Sequence, residues 1–243
     1  MRALLRWLAL VFAALVVLQL FFVLRIAAMV VLDPQSTTFE RSEAWRIVHA
    51  KGSLPWRQEW VPYTQISDHL KRAVIASEDD GYSEHDGVDW DAIEKAWARN
   101  SRAEELAQQR AAASKKNARG PKIVGGSTIT QQLAKNLFLS GERTLLRKGQ
   151  ELVLTMLLEL LLDKQRILEI YLNHVEWGEG VFGAQAASEH YFRKPASRLS
   201  AFEAARLAVM LPRPKYFEKL PQSAYLSGRS ATIVARMPSA RLP

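Results

Sequence analysis

The chain begins with an almost continuous apolar segment that extends to residue 32. After Arg2 and Arg6, no charged residue occurs in the run Trp7–Leu24, and Gln19 is the one polar residue within it. A helix of about 18 apolar residues is long enough to cross the hydrocarbon core of a bilayer. Because no convincing small-x-small cleavage site follows, the pattern favours a permanent anchor over residues 1–32 rather than a cleaved signal peptide.

The charges beside this segment indicate its orientation. Arg2, Arg6 and the terminal amine favour a cytoplasmic N-terminus, since positive charges are retained on that side. Arg25, Arg41 and Arg46 make the asymmetry modest. The rest of the chain is therefore expected on the opposite side of the membrane.

Beyond the anchor, the pattern of apolar positions predicts helices. Residues 33–66 are mixed, and WRIVHAKG and VPYTQIS suggest short extended pieces. From Ser67 the spacing of Leu70, Val74 and Ile75 gives one apolar helical face. DWDAIEKAWARN begins another helix. The polar, basic stretch RAEELAQQRAAASKKNARGPK, in the loop expected over 97–124, indicates a helix that frays into a loop, with a solvated linker as the plainer interpretation.

The second half of the chain is also helical in pattern. Leu152–Leu162 is apolar nearly all round, which predicts a buried central helix that is too short to span a membrane. WGEGVFG predicts a glycine-rich turn, and AQAASEHYF a helix rich in small residues. LSAFEAARLAVMLPRP predicts a further helix that proline ends. Few segments have the alternation of strands, so the fold class is mainly α.

Composition narrows the class of partner. The chain has 243 residues, 48% hydrophobic content and no cysteine, so disulfides, thiol nucleophiles and Cys-based zinc sites are excluded. Its formal net charge of +8 implies an acidic partner. Outside the cytoplasm nucleic acid is a poor candidate, and a phosphorylated lipid is a better one.

The segment GGSTITQQLAKN is dominated by hydroxyl and amide side chains. Thr128 and Gln131, three residues apart, fit the capping box of a helix N-terminus. Exposed N–H groups at such a terminus, with the hydroxyl of Ser127 beside them, can bind an anion, and Lys135 on the face of Gln131 adds a positive charge. A helix start that binds nothing is the plainer alternative.

Two carboxylates stand out. Glu78 begins an acidic stretch that contains Asp79 and His85, and Glu151 follows Arg147 and Lys148 at helical spacing. A surface ion pair is the simpler interpretation of the second group, but the apolar residues that follow predict that Glu151 is at least partly buried. Paired carboxylates in a helical domain point to sugar chemistry. The five histidines lack metal-ligand spacing, and His85 and His174 are expected to be packing or hydrogen-bonding residues.

Four blocks of the sequence, taken in order, resemble the signature blocks of the peptidoglycan glycosyltransferases, and most closely the monofunctional, membrane-anchored kind of Gram-negative bacteria. The resemblance covers roughly residues 67–217. It implies a lysozyme-like helical domain over 67–243, with a small membrane-facing lobe, after a linker over 33–66. It also implies a periplasmic domain at the bacterial inner membrane that polymerises lipid II. The blocks are EDDGYSEHDGVD, GGSTITQQLAKN, RKGQE and KQRILEIYLNHVEWGEGVFGAQAASEHYF.

The resemblance also implies roles for individual residues. Glu78 matches the catalytic base that accepts the proton of the lipid II 4-hydroxyl, which attacks the growing chain and expels undecaprenyl pyrophosphate with inversion. Glu151 matches the second glutamate, and cations near it suit the leaving pyrophosphate. A divalent cation such as Mg²⁺ is implied without a visible cage of carboxylates, and other cell-wall synthesis proteins are implied as partners. The remaining substrate-binding positions are Asp79, His85, Ser127, Thr128, Gln131, Lys135, Asn136, Arg147, Lys148 and Lys194.

Two other functions compete with this one. A glycan-cleaving enzyme of the same fold requires an acid that keeps its proton, whereas cations around Glu151 favour the ionised form. A non-catalytic scaffold of a cell-wall complex needs neither Glu78 nor Glu151.

Overall fold

Helices dominate the computed structural model, which describes residues 1–113, 126–142 and 144–243. The mainly α fold class is confirmed. The helices are α1 (Arg2–Ala28), α2 (Thr38–Lys51), α3 (Asp68–Glu78), α4 (Trp90–Ala113), α5 (Ile129–Phe138), α6 (Leu145–Leu161), α7 (Lys164–His174), α8 (Ala184–Phe192), α9 (Ala201–Met210), α10 (Pro214–Phe217) and α11 (Ala224–Arg236). The strands are β1 (Arg57–Gln58), β2 (Glu176–Gly178) and β3 (Val181–Phe182).

Helix α1 is the apolar N-terminal segment. It has 27 residues and a mean hydropathy of 2.7, so it is long and apolar enough to cross a membrane. Most of its side chains are exposed, but its last turns pack against the rest of the protein. Phe22 and Ile26 are buried, and Met29, just past the helix, is buried too.

The segment after the anchor is more helical than predicted. WRIVHAK, expected to be extended, forms the second half of α2. Thr37 and Glu40 form a capping box at the start of α2, and Gly52 ends it in the left-handed conformation with φ of 68°. These local signals outweigh the strand preference of Trp45, Ile47 and Val48, because caps satisfy backbone groups that a helix end would otherwise leave unpaired.

The predicted helix after Ser67 is confirmed as α3, with Leu70, Val74 and Ile75 fully buried. It packs against α9 and α11, while α5 packs against α6 and α7. The helix predicted from DWDAIEKAWARN is confirmed as α4, and it continues to Ala113 where a frayed helix and loop were expected. The predicted loop residues 114–125 lie outside the described residues.

Helix α6 is not buried all round, contrary to the prediction. Leu154 and Leu158 are fully buried, whereas Val153, Met156 and Leu160 are 42%, 52% and 78% exposed. A helix with apolar residues on every face fits two situations: the protein buries all of its faces, or one apolar face remains exposed. The sequence pattern cannot separate these two cases, and α6 is the second.

The glycine-rich turn is a small β-hairpin. Strand β3 pairs antiparallel with β2 and parallel with β1, which brings the segment after α2 against the helical domain. Gly180, with φ of 77°, lies so close to the backbone of Pro55 that a Cβ would be 2.0 Å from its carbonyl oxygen. Only glycine fits that approach. The helix predicted after the turn is α8, and α9 is the helix that ends before proline.

Candidate active site

Glu78 is the last residue of α3, and its carboxylate is held by two neighbours. Gln132 on α5 donates a hydrogen bond to Oε2 at 3.1 Å, and the hydroxyl of Ser77 lies 3.4 Å from Oε1. Burial raises the pKa of the Glu78 carboxyl, while these hydrogen bonds oppose the shift. A half-buried carboxylate with a raised pKa is suited to accept a proton from a substrate hydroxyl.

Asp79 connects the end of α3 to the start of α5. Its buried carboxylate accepts hydrogen bonds from the backbone N–H of Ile129 at 2.9 Å and from His85 Nε2 at 2.8 Å. An acid at the C-terminus of α3 opposes that helix's dipole, but the same carboxylate lies at the positive end of α5. This second helix explains why the acid is tolerated there.

His85 is a hydrogen-bonding residue, as expected. The backbone N–H of Gly87 donates to its Nδ1 at 3.1 Å, so the ring proton is assigned to Nε2, which donates to Asp79. Tyr82 stands where the resembling family usually has phenylalanine. Its hydroxyl donates to the carbonyl of Lys164 at 2.7 Å, so the buried ring carries no unpaired polar group.

The start of α5 confirms the predicted capping box. Gln131 N–H donates to Thr128 Oγ1, and the Gln131 side chain accepts from Thr128 N–H at 3.1 Å. Thr128 Oγ1 also donates to the carbonyl of Gly87 at 2.6 Å. Before the cap, Gly126 passes so close to α4 that a Cβ would lie 3.3 Å from the Ala92 carbonyl. The cap is therefore tied to both neighbouring segments.

A partly buried polar network that the sequence did not predict lies beneath this turn. Glu159 on α6 accepts from Thr130 Oγ1 at 2.6 Å and from Lys164 Nζ at 2.9 Å, and Lys164 also donates to the carbonyl of His85. Gly87, with φ of 83°, packs so tightly that a Cβ would be 2.7 Å from Glu159 Cγ. The network fixes α5, α6 and the His85 turn relative to one another.

These elements line an open cavity of about 150 Å³ beside Glu78. Arg236, at the end of α11, lines it and pairs with Asp80 at 3.1 Å. Arg236 was not selected from the sequence, because it is distant from Glu78 along the chain and follows no local motif. Asp89 ends the block EDDGYSEHDGVD but was not given a role. The lining residues are Ala76, Ser77, Glu78, Asp79, Asp80, Asp89, Ala92, Gly126, Ser127, Thr128 and Arg236.

Glu151 forms a second centre on α6. It is 4% exposed, as the sequence predicted for a partly buried acid, and it accepts from Arg147 at 2.8 Å and from Lys148. Arg147 Nε is buried and has no hydrogen-bond partner within the described residues. A buried donor without a partner is costly. Lys148, whose side chain is half-exposed, and the rest of the Arg147 guanidinium carry the positive charge of this centre.

Lys135, Asn136 and Lys194, which the resemblance assigns to substrate binding, do not line the cavity beside Glu78. Lys135 is exposed and Asn136 half-buried in the second half of α5, about 10 Å along the helix from Thr128. Gln131, by contrast, turns its side chain back to the cap. Lys194 follows α8, pairs with Glu203 of α9 at 2.7 Å, and does not line the cavity beside Glu78.

No group of three or more His, Asp or Glu within the described residues is arranged to hold a metal ion. The described residues therefore do not form a cage for the divalent cation that the resemblance implies, and no residue is assigned to it.

The fold is mainly helical, and it carries two carboxylate centres, one at Glu78 beside the cavity and one at Glu151 with its paired cations. A family model described as "Transglycosylase" matches residues 48–238. A biosynthetic peptidoglycan transglycosylase of Burkholderia thailandensis is 53% identical over 246 residues, which cover 100% of this chain and 90% of that protein. Its counterpart in Herminiimonas arsenicoxydans is 50% identical over 244 residues, covering 100% and 99%.

The chain belongs to the transglycosylase family, as the sequence blocks predicted. The family match begins at residue 48, within α2, while the sequence placed the domain start at residue 67. That boundary and the individual site roles stay predictions.

Proposed function

We propose that this protein polymerises peptidoglycan by transferring the growing glycan chain from undecaprenyl pyrophosphate to the 4-hydroxyl of lipid II, with inversion. The observation that carries the proposal is the placement of Glu78: a carboxylate of raised pKa, held by Gln132, beside a polar cavity. Family membership and the names of the relatives support the reaction class.

Glu78 would act as the general base. Its carboxylate removes the proton of the acceptor 4-hydroxyl as that oxygen forms a bond to the anomeric carbon of the growing chain. The bond from that carbon to the pyrophosphate oxygen breaks on the opposite face. Because the leaving pyrophosphate gains negative charge, cations placed at it lower the barrier.

The cations of α6 are suited to that leaving group. Arg147 uses Nη1 for Glu151, and its buried Nε lacks a partner within the described residues. Glu151 would then hold Arg147 and Lys148 in place and limit their mutual repulsion. Lys135 on α5 would add a third positive charge.

The protein would be a single-pass protein of the bacterial inner membrane, with a cytoplasmic N-terminus and a periplasmic catalytic domain. The hydropathy of α1 supports a membrane span, and a signal sequence would pass the same test. The burial of Phe22, Ile26 and Met29 supports a retained anchor, because cleavage would remove side chains from the core. Helix α6 lies beside α1 and has an exposed apolar face, which supports contact of α6 with lipid. Other cell-wall synthesis proteins are proposed partners.

The decisive experiment incubates the purified full-length protein with labelled lipid II in bilayers. We expect polymeric glycan on a gel, with a Glu78→Gln variant as the inactive control. Degradation of preformed glycan would indicate a cleaving enzyme, and no reaction with either substrate would indicate a scaffold. Chelation and readdition of Mg²⁺ in the same assay tests the divalent cation.

A further inference from the structure

The one polar residue in the uncharged part of the anchor is paired with the catalytic domain. Gln19 donates from Nε2 to Gln150 Oε1 at 3.2 Å, and Gln150 donates back to Gln19 Oε1 at 3.4 Å. Both side chains are half-buried. The two amides thus satisfy each other across 131 positions of sequence.

The position of Gln19 makes this pair specific. It lies five residues before Leu24, the last residue of the uncharged run, which is about 8 Å along the helix. An amide on a membrane-spanning helix is unfavourable when it faces lipid without a partner. Gln19 therefore favours the one rotation and height of α1 that bring it to Gln150.

Gln150 belongs to the helical turn that carries Arg147 and Glu151 of the proposed pyrophosphate site. It precedes Glu151 directly and lies three residues after Arg147. On the same face of α1, Phe22 packs edge-to-face on Phe138 of α5, with ring centroids 5.4 Å apart. The anchor thus contacts both helices that carry cations of the proposed pyrophosphate site.

We propose that Gln19 is a positioning residue: through Gln150 it sets the height of the Arg147–Glu151 turn relative to the bilayer, where the pyrophosphate of a lipid substrate lies. This rests on the proposed function for the identity of the substrate. Sliding α1 by one helical turn would move that group by about 5.4 Å, which exceeds the length of a hydrogen bond.

The first test uses turnover in bilayers. Gln19→Leu and Gln150→Leu should each lower kcat on lipid II about three- to tenfold with little change in KM, because each removes the hydrogen bonding between the two side-chain amides. The double variant should be no slower than either single variant, since both substitutions remove the same pair of hydrogen bonds. Val17→Leu, on the opposite face of α1, is the matched control and should behave as wild type. Additive losses, or full activity of Gln19→Leu, would overturn the proposal.

The second test does not depend on activity. The chain has no cysteine, so Gln19→Cys combined with Gln150→Cys introduces the only two thiols. A short, reducible bis-methanethiosulfonate reagent should join them within one chain in membranes, and Val17→Cys with Gln150→Cys should not be joined. Cross-linking should also restore the turnover that the two substitutions lower, and reduction should remove the gain. If the two cysteines are joined but the wild-type protein does not polymerise lipid II, the proposed function alone is rejected. If the wild-type protein is active but the cysteines are not joined, the positioning role is rejected.

Discussion

The side-chain amide of Gln132 donates a hydrogen bond to the carboxylate of Glu78, with 3.1 Å between Nε2 and Oε2. The hydroxyl of Tyr171 donates to Gln132 Oε1 at 3.0 Å, so the amide NH₂ has to face Glu78. The buried Tyr171 on α7 therefore orients Gln132 on α5, and Gln132 in turn holds the carboxylate of the proposed base on α3. Two predictions rest on this chain of contacts.

Glu78→Gln should lower turnover by about two to four orders of magnitude, because an amide cannot accept the proton of the acceptor hydroxyl. The variant should unfold at an equal or higher temperature at neutral pH. Burial raises the pKa of Glu78, so the ionised carboxylate is disfavoured in the folded state and the neutral amide is not.

The matched control is Glu84→Gln, in the same acidic stretch. Glu84 is 63% exposed and pairs with Arg241 at the surface, so its loss should leave both turnover and stability nearly unchanged. Normal turnover in a folded Glu78→Gln protein would end the assignment of the general base.

Gln132→Leu should move the acid limb of the pH–rate profile to higher pH. The hydrogen bond from Gln132 favours the charged form of Glu78 and opposes the effect of burial, so its removal raises the pKa of that carboxyl further. Activity requires the deprotonated base, and the rate should therefore fall at a higher pH than in wild type. A shift of up to about one unit is expected for one hydrogen bond.

Tyr171→Phe provides the graded control for this shift. It removes the hydroxyl that orients Gln132 but leaves the amide donor, so the limb should move in the same direction by a smaller amount. If the limb stays where it is in both variants, it reports a group other than Glu78.

What the sequence predicted correctly is mostly local. The capping box of Thr128 and Gln131 and the pairing of Glu151 with Arg147 join residues three or four positions apart, where helix geometry fixes the contact. The hydrogen bond from Gln132 to Glu78 and the ion pair of Arg236 with Asp80 depend on how helices pack. No local pattern encodes such contacts, so the roles of Gln132 and Arg236 were missed.

The errors have equally specific causes. The helix α2 was missed although Thr37 and Glu40 carry a capping box, because the apolar residues of WRIVH resemble a strand. Helix α6 was predicted to be buried because apolar residues occur on all its faces, and periodicity does not reveal what covers each face. The network of Glu159, Thr130 and Lys164 had no sequence signal beyond three polar residues in helical segments.

Lys135→Ala should lower kcat on lipid II by about two to three orders of magnitude, the effect typical of one lost charge-stabilising contact in a transition state. Lys135→Arg should retain more activity, because it keeps the positive charge. The unfolding temperature should hardly change in either variant, since alanine and arginine are both good helix formers. A Lys135→Ala protein within about twofold of wild type would show that Lys135 is an ordinary exposed helix lysine.

Glu176→Gln should stabilise the protein at pH 8 and have little effect at pH 4. Burial is the main cause that raises the pKa of Glu176 from 4.5 to about 7, although Lys215 at 3.3 Å partly opposes it. With the folded pKa above the unfolded value, the wild-type protein loses stability as pH rises from 4.5 through 7, by up to about 3 kcal/mol. Gln mimics the protonated acid and removes that loss. Denaturant unfolding at pH 4 and pH 8 would measure the change in the free energy of unfolding caused by Glu176→Gln. An equal change at both pH values would refute the prediction.

Two truncations of the anchor should differ in stability. Deleting residues 1–18 leaves Phe22, Ile26 and Met29 in the core, whereas deleting residues 1–32 removes all three. It also removes the Leu32 and Met29 carbonyls that accept hydrogen bonds from Arg166. Each large buried side chain contributes about 1.5–3 kcal/mol, so the longer deletion should unfold at a clearly lower temperature in the same detergent.

The protein lacking residues 1–32 should keep some activity on lipid II in detergent, but it should lose more activity than the protein lacking residues 1–18. Both truncated proteins should fall below the full-length rate on bilayers, because each lacks a complete span to hold it at its lipid substrate. Equal unfolding temperatures for the two truncations would mean that the end of α1 is a tether and contributes nothing to the fold.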